Sequence, residues 1–403
     1  MKLSMFTPTH RTDYLQRLKK SIDAQTFTNW EWVIVPNNGA TIDFQDERIN
    51  IVRSSTVGNI GKLKSFACAN CTGDALLEVD HDDELTPDCL EEIAAAFRDD
   101  EVDFAFSNWC DVKPDYSSRT YDTVYGWQVR PEKYKDHTLQ SMVSFPADPR
   151  SCSKIWYCPN HIRCWRSSFY RAVGGHDASL DILDDHDLVC RTYIKARGIK
   201  HVDKCLYLYH LHDNNTCYGE KNAKIQTMTL ELHDKYIYPM VERWSEINKL
   251  RKINLNDGME NLEHYENYNV SERCFESAKW PFEDGSVGVF RAHDCLSLMR
   301  NPIHVMKEIY RCLVPNGWLL SLTPSTDGRG AFQDPRHVTY WNSNSFWYYT
   351  NRHQARFIGT PVKFQLNRVK TFFPSDWHKE HNISYVKADL VKFNGRTPGL
   401  IEI

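Results

Sequence analysis

Short apolar runs alternate with amphipathic stretches along the first hundred residues. Residues 3–6 form an apolar run that stops at Thr7-Pro8-Thr9 and predicts a strand. Leu15, Leu18 and Ile22 then fall at three-and-four spacing on one helix face, with Thr12 or Asp13 placed to cap it. Residues 31–35 and 49–52 predict further strands, the first of them broken by the turn Pro36-Asn37-Asn38-Gly39. A helix over 62–70 and a strand over 75–79 follow, and that strand runs straight into Asp80-His81-Asp82-Asp83. Thr86-Pro87 opens another helix, with Leu90, Ile93, Ala94 and Phe97 as its buried stripe. Strands alternating with helices at this spacing predict βαβ units in an α/β fold with a mostly parallel sheet. Such sheets bind ligands at the strand C-terminal ends. The acidic cluster stands at one of those ends.

Later in the chain, residues 222–250 read as a polar helix with Leu230, Leu232, Tyr236 and Met240 available for packing, and residues 254–258 mark a boundary. A strand is predicted over 287–290. A helix face of Ile303, Met306, Ile309, Tyr310 and Leu313 follows, then the turn Pro315-Asn316-Gly317 and a strand over 318–322. The pattern divides the chain into an α/β domain over 1–220, a helical linker over 221–258 and a smaller α/β domain over 259–403.

Composition narrows the class. A chain of 403 residues with 41% hydrophobic and 25% charged residues is globular rather than disordered or fibrous. The formal net charge of -4 argues against gripping a polyanion. The 12 Trp call for explanation, since such an excess serves either cores or sugar- and base-stacking surfaces. Thirteen scattered Cys fit reduced, buried thiols rather than a disulfide frame, and the lone Cys68-Ala-Asn-Cys71 pair lacks a second pair at zinc spacing. No apolar window is long enough for a membrane span and the N-terminus has no signal-peptide core, so a cytoplasmic location is expected.

Three carboxylates within four residues repel one another unless a cation relieves them. Hard oxygen donors suit Mg²⁺ or Mn²⁺, and such ions share their remaining positions with phosphates. A metal-diphosphate site is the natural reading. Thr7-Pro8-Thr9, the segment 21–35 with Gln25, Trp30 and Glu31, Gly58-x-x-Gly61-x-x-Lys64, and Leu77-Glu-Val-Asp80-His-Asp82-Asp83 stand in the order found in family 2 glycosyltransferases of GT-A fold, which this chain resembles. Arg163-Cys-Trp-Arg166, Val173-Gly174-Gly175-His176-Asp177 and Leu183-Asp184-Asp185-His186-Asp187 continue the resemblance, which spans about residues 1–220.

That resemblance implies an inverting, metal-dependent transfer of a sugar from a nucleoside-diphosphate sugar, UDP-sugar before GDP-sugar, to an acceptor hydroxyl of a glycan. It places the nucleotide against Thr7, Pro8, Thr9, Arg11, Asn37, Asn38, Lys64, Asp80, His81 and Asp82. The metal, Mn²⁺ with Mg²⁺ as the alternative, falls to Asp82 and to His212 in the segment Tyr209-His210-Leu211-His212-Asp213. Asp185, with Asp184 before it, matches the family's catalytic base, which must take the proton of a poorly nucleophilic hydroxyl. The family pattern has Glu-Asp where this chain has Asp184-Asp185, and relatives carry acidic residues where this chain has Asn37-Asn38, so reading of the base is rearranged.

Residues 110–165 are rich in Tyr, Trp, Pro and Arg, and Trp156, His161 and Arg163 are the acceptor-binding candidates. Residues 270–350 resemble the latter half of a class I methyltransferase. No strand followed by a Gly-rich turn and a cofactor-gripping acidic residue precedes residue 280, so the expectation is a degenerate module that binds no S-adenosylmethionine. Docking, acceptor binding or homo-oligomer contacts are its expected uses. Two other readings stay open at this point: a nucleotidyltransferase sharing the nucleotide-binding topology, and a non-catalytic carbohydrate-binding scaffold.

Overall fold

The computed structural model describes residues 1–403 except 124–125, 154, 214, 216–219, 272–277 and 394–403. The chain divides into two compact units, Met1–Ile237 and Tyr238–Ile403.

The sheet of the first unit is built from β1 (Leu3–Thr9), β2 (Trp30–Pro36), β3 (Ile49–Ile51), β4 (Ala75–Glu78), β5 (Glu84–Leu85), β6 (Val102–Val112), β7 (Ser118–Arg119), β8 (Val129–Tyr134), β9 (His137–Met142), β10 (Arg163–Arg166) and β11 (Gly198–His210). Its main path runs β3-β2-β1-β4-β10-β6-β11-β5. The first four of these are parallel, as the βαβ pattern requires, and β6 and β11 are parallel as well. Strand β10 enters antiparallel between β4 and β6, and β5 closes antiparallel on β11. Helices α1 (Leu15–Asp23), α2 (Ile60–Ala69), α3 (Cys89–Ala96), α4 (Pro149–Cys152), α5 (Ser167–Ala172) and α6 (Asp184–Lys195) complete the fold.

The expected stripes are buried: Leu15, Leu18 and Ile22 on α1, and Leu90, Ile93, Ala94 and Phe97 on or next to α3. The expected caps differ. Tyr14 and Asp88 occupy the N-cap positions, and neither bonds the helix through its side chain. Trp32, Trp109, Trp165 and Trp318 are fully buried, so part of the tryptophan excess is core. The described cysteines are all buried and free, Cys68 and Cys71 included, and burial raises both of those thiols.

Two boundary expectations are corrected. Helix α7 (Glu220–Ile247) covers most of the expected linker, but the division between units falls inside it, at Ile237/Tyr238. Residues 251–256 are strand rather than linker, because their backbone is paired on both sides. The second unit begins its sheet there, with β12 (Arg251–Asn256), β13 (Glu266–Asn269), β14 (Val287–His293), β15 (Leu313–Pro324), β16 (Phe364–Phe372) and β17 (Tyr385–Lys392) in the order β13-β12-β14-β15-β17-β16. Two parallel strands therefore precede residue 280, where the sequence indicated none. They were hidden because β12 reads Arg-Lys-Ile-Asn-Leu-Asn and β13 reads Glu-Asn-Tyr-Asn, both polar for strands. Helix α8 (Pro302–Cys312) buries Val305, Met306 and Ile309.

Gly61 shows how tightly the front unit is closed beneath its cleft. A Cβ there would sit 2.6 Å from the Leu180 carbonyl oxygen and closer still to that of Asp177, both rigid backbone atoms. Gly61 N donates to that same Leu180 oxygen at 3.1 Å. Gly61→Ala is expected to cost about 1–3 kcal/mol, the usual penalty of overpacking, in urea unfolding of the purified protein.

Candidate active site

Strand β4 ends beside β1, and the chain leaving it carries five consecutive chemistry-bearing residues, Asp80 to Glu84, that diverge. Asp83 turns inward: its carboxylate accepts from the Tyr207 hydroxyl at 2.8 Å and from His210 N at 2.7 Å. It thus ties β11 to the acidic loop and neither caps the next helix nor faces the cleft. Glu84 is also internal, accepting from His210 Nε2, the Tyr134 hydroxyl and Lys135, which hold its carboxyl down at about 2 against burial. Asp80 and Asp82 remain for the cleft.

Asp80 is about a third exposed and lies 3.7 Å from His161 Nε2. Burial pushes its carboxyl up to about 7, assisted by the charges of Glu78 and Asp82 and opposed by Lys64. The Asp82 carboxylate meets His212 Nε2 at 2.7 Å. The His212 ring stacks on Tyr14 at 5.1 Å, and Arg17 donates to the Asp82 carbonyl. His81 packs edge-on against His10, and burial lowers its pKa. A carboxylate oxygen beside an imidazole nitrogen is a donor pair that suits Mn²⁺ and leaves room for diphosphate oxygens. Among the described residues no group of three His, Cys, Asp or Glu side chains converges to hold a metal unaided.

The expected nucleotide contacts near β1 and β2 divide into two groups. Thr7 is fully buried: its hydroxyl donates to the Val79 carbonyl at 2.8 Å and accepts from Trp32 Nε1 at 2.9 Å, joining three strands rather than facing a ligand. Thr9 is likewise buried and bonded to Arg11. Pro8 and Arg11 are partly exposed, and Arg11 pairs with Asp13 at 2.7 Å. Asn37 is buried and accepts from Asn38 N, while Asn38 is exposed at a positive φ of 50°.

Lys64 and Arg163, both expected to reach ligands, lie deep in the fold, with Lys64 7% exposed and Arg163 3%. Lys64 Nζ pairs with Glu78 and lies 3.4 Å from Asp184. Arg163 reaches Glu78 Oε2 from Nε at 2.9 Å and Asp185 Oδ2 from Nη2 at 2.8 Å, and its Nη2 also meets His161 Nε2 at 2.7 Å. The reason is register: β10 lies antiparallel to β4 with Arg163 directly opposite Glu78. A buried guanidinium must find carboxylates, and these are the nearest.

Asp184 and Asp185 open α6, where the helix N-terminus favours negative charge. Their environments separate them. Asp184 is enclosed, and burial holds it up at about 6 even with Lys64 pulling the other way. Asp185 keeps 19% of its side chain exposed, and the Arg163 and Lys64 charges overcome burial to lower its pKa. Asp185 is thus an ionised carboxylate with part of its side chain exposed. His161 and His176 are buried, and burial lowers each to about 3, so both are neutral at pH 7. Trp156 is half-buried, edge-on to Tyr157 at 4.9 Å, in an aromatic group that includes Tyr121, Trp127 and Phe145.

Sequence reasoning passed over Glu78 as a strand residue. The signal was there: one carboxylate inside the otherwise apolar run Ala-Leu-Leu-Glu-Val, matched by an arginine in a second strand.

Residues 4–151 match the glycosyl transferase family 2 model, and residues 241–321 match a methyltransferase domain. The chain is 22% identical over 238 residues to the O-antigen biosynthesis protein RfbC of Myxococcus xanthus. That alignment covers 56% of this chain, which spans 17% of the relative's length. Among solved structures, S. aureus TarS 1-349 aligns at TM-score 0.41 and 17% identity, covering 62% of this chain and 73% of the other. The same protein in complex with UDP-GlcNAc gives 0.43 and 16%, covering 61% and 73%. The first unit therefore carries a segment similar to family 2 glycosyl transferases, and the second a segment similar to a methyltransferase domain.

Glu78 carries a stability prediction. Burial alone would raise its carboxyl, but Arg163 and Lys64 hold it well below the ordinary value. A group lowered in the fold contributes stability that is complete above an unfolded pKa of about 4.3 and lost as pH falls through the folded value. Glu78→Gln, which leaves two buried cations short of a partner, should cost about 3–5 kcal/mol at pH 7 in urea unfolding, with the deficit shrinking towards pH 2.

Proposed function

We propose that this chain is an inverting, metal-dependent glycosyltransferase that moves a sugar from a nucleoside-diphosphate sugar, a UDP-sugar, to an acceptor hydroxyl of a glycan. The observation that carries the reading is the pairing of Asp82 with His212 at the end of β4, in the same unit as an ionised Asp185 clamped by Arg163. The family 2 match over residues 4–151 supports the reaction class.

Asp82 and His212 would hold Mn²⁺, or Mg²⁺ in its place. The ion supplies positive charge to the departing diphosphate. The acceptor oxygen bonds to the donor's anomeric carbon as the bond from that carbon to the diphosphate oxygen breaks, and its electron pair leaves with the nucleoside diphosphate. Asp185 takes the hydroxyl proton. Attack opposite the leaving group inverts the anomeric centre. Asp80, Arg11 and Asn38 line the donor side, and Trp156 offers an apolar face for a sugar. Lys64 and Arg163 act beneath the site by fixing the carboxylates.

Release of UDP from a panel of UDP-sugars, with and without EDTA, tests the reading. Asp185→Asn should slow transfer by about 10²–10⁴-fold, and Asp82→Ala should remove the response to Mn²⁺. Full transfer in both variants would overturn the assignment, as would pyrophosphate release from a nucleoside triphosphate. The Arg163 clamp predicts a pH profile whose acid limb lies below the ordinary carboxylate range of about 4. Arg163→Met should move that limb up by about 1–3 pH units in kcat/KM.

A further inference from the structure

The second unit contains a cleft of about 290 Å³ that the transfer reaction does not use. Its walls come from the C-terminal ends of β12, β14 and β15 and from the segment 330–337, the place where α/β sheets receive ligands. The methyltransferase match implies S-adenosylmethionine there. Strand β12 passes through Asp257-Gly258 and reaches β13 without an intervening helix. Strand β13 ends at Asn269, whose amide lies against Gly258, where a ribose-gripping carboxylate belongs. Amides of Asn254 and Asn256 bond the Glu260 carbonyl and draw the loop closed. This donor set does not fit the cofactor.

It fits a different chemistry. Asp257, Glu260, Asp294 and Asp334 line the cleft against Arg336, so an anionic ligand is disfavoured. Three of these carboxylates are held in place: Arg336 pairs with Asp257 at 3.2 Å and Asp334 at 2.7 Å, and Arg291 pairs with Glu260 at 3.0 Å. Asp294 sits at the end of β14 with a positive φ of 50°, a conformation that costs energy for a side chain of its kind. Carboxylates fixed by their own ion pairs are preorganised acceptors for hydroxyl groups. Outside the cleft lining, Phe332 of the segment 330–337 is 60% exposed and pairs with Tyr340, 53% exposed, at 5.1 Å between ring centroids. Phe332 directly precedes the cleft-lining Gln333 and Asp334 in the chain, so an exposed aromatic pair offers stacking for the apolar face of a sugar ring and the cleft carboxylates offer acceptors for its hydroxyls.

We propose that this cleft is a saccharide-binding site for a neutral glycan chain. The choice of ligand class rests on reading the first unit as a glycosyltransferase, whereas the test reads binding and not transfer. Saturation-transfer NMR and calorimetry on the full chain, without nucleotide, would use neutral oligosaccharides of glucose, N-acetylglucosamine, galactose and rhamnose, with S-adenosylmethionine as a separate titrant. At least one oligosaccharide should bind. Phe332→Ala, a surface change that leaves the core intact, and Asp294→Asn should each weaken it about tenfold, while Asp185→Asn binds as the unaltered protein does. The proposal is overturned if no oligosaccharide binds, if Asp185→Asn abolishes binding while Phe332→Ala leaves it unchanged, or if S-adenosylmethionine binds and Asp294→Asn removes it. A failed transferase reading would show separately, as absent UDP release.

Discussion

Lys64 and Arg163 share the interior beneath the cleft with Glu78, Asp184 and Asp185, and none of these charges could be buried there alone. Removing one ionised side chain from water costs several kcal/mol unless partners replace the solvent. The partners here come from α2, β4, β10 and α6, elements far apart in sequence. Satisfying the charges therefore fixes these elements against each other. It also fixes the direction of Asp185, whose one carboxylate oxygen is held by Arg163 while the side chain keeps some exposure.

The acidic run after β4 works by division. Asp83 and Glu84 are drawn into the fold by Tyr207, His210 and Tyr134, which anchors the loop to β11 and leaves Asp80 and Asp82 presented together. Had all four pointed outward, their repulsion would have opened the loop. The inward pair gives the outward pair a rigid base, as the donor site proposed above requires.

The second unit repeats the logic of a sheet with a ligand cleft at its strand ends, using different materials. Where a dinucleotide-type loop relies on glycine and helix, the loop after β12 relies on asparagine amides and arginine–carboxylate pairs. The aromatic excess divides accordingly. Trp32, Trp109, Trp165 and Trp318 fill cores, while Phe332, Tyr340, Trp347 and Trp377 stay on the surface of the second unit.

Periodicity alone located β1 to β4 and α1 to α3, the parallel character of those strands, and the acidic exit of β4, because apolar spacing reports directly on which face meets a core; the two-residue β5 was too short to register. Motif order singled out Asp82 and His212, which the fold brings together. What the linear chain did not disclose was direction. Lys64 and Arg163 look like ligand-binding cations in sequence, and Glu78 looks like an interruption of a strand. Only the antiparallel insertion of β10 beside β4 brings Arg163 opposite Glu78 and turns all three inward. Strands β12 and β13 escaped notice because their polar residues are satisfied by bonds to a loop that exists only after folding. Local pattern determines which elements form; the partners that decide whether a charge faces water or its counter-ion are set by tertiary contact, where desolvation is first felt.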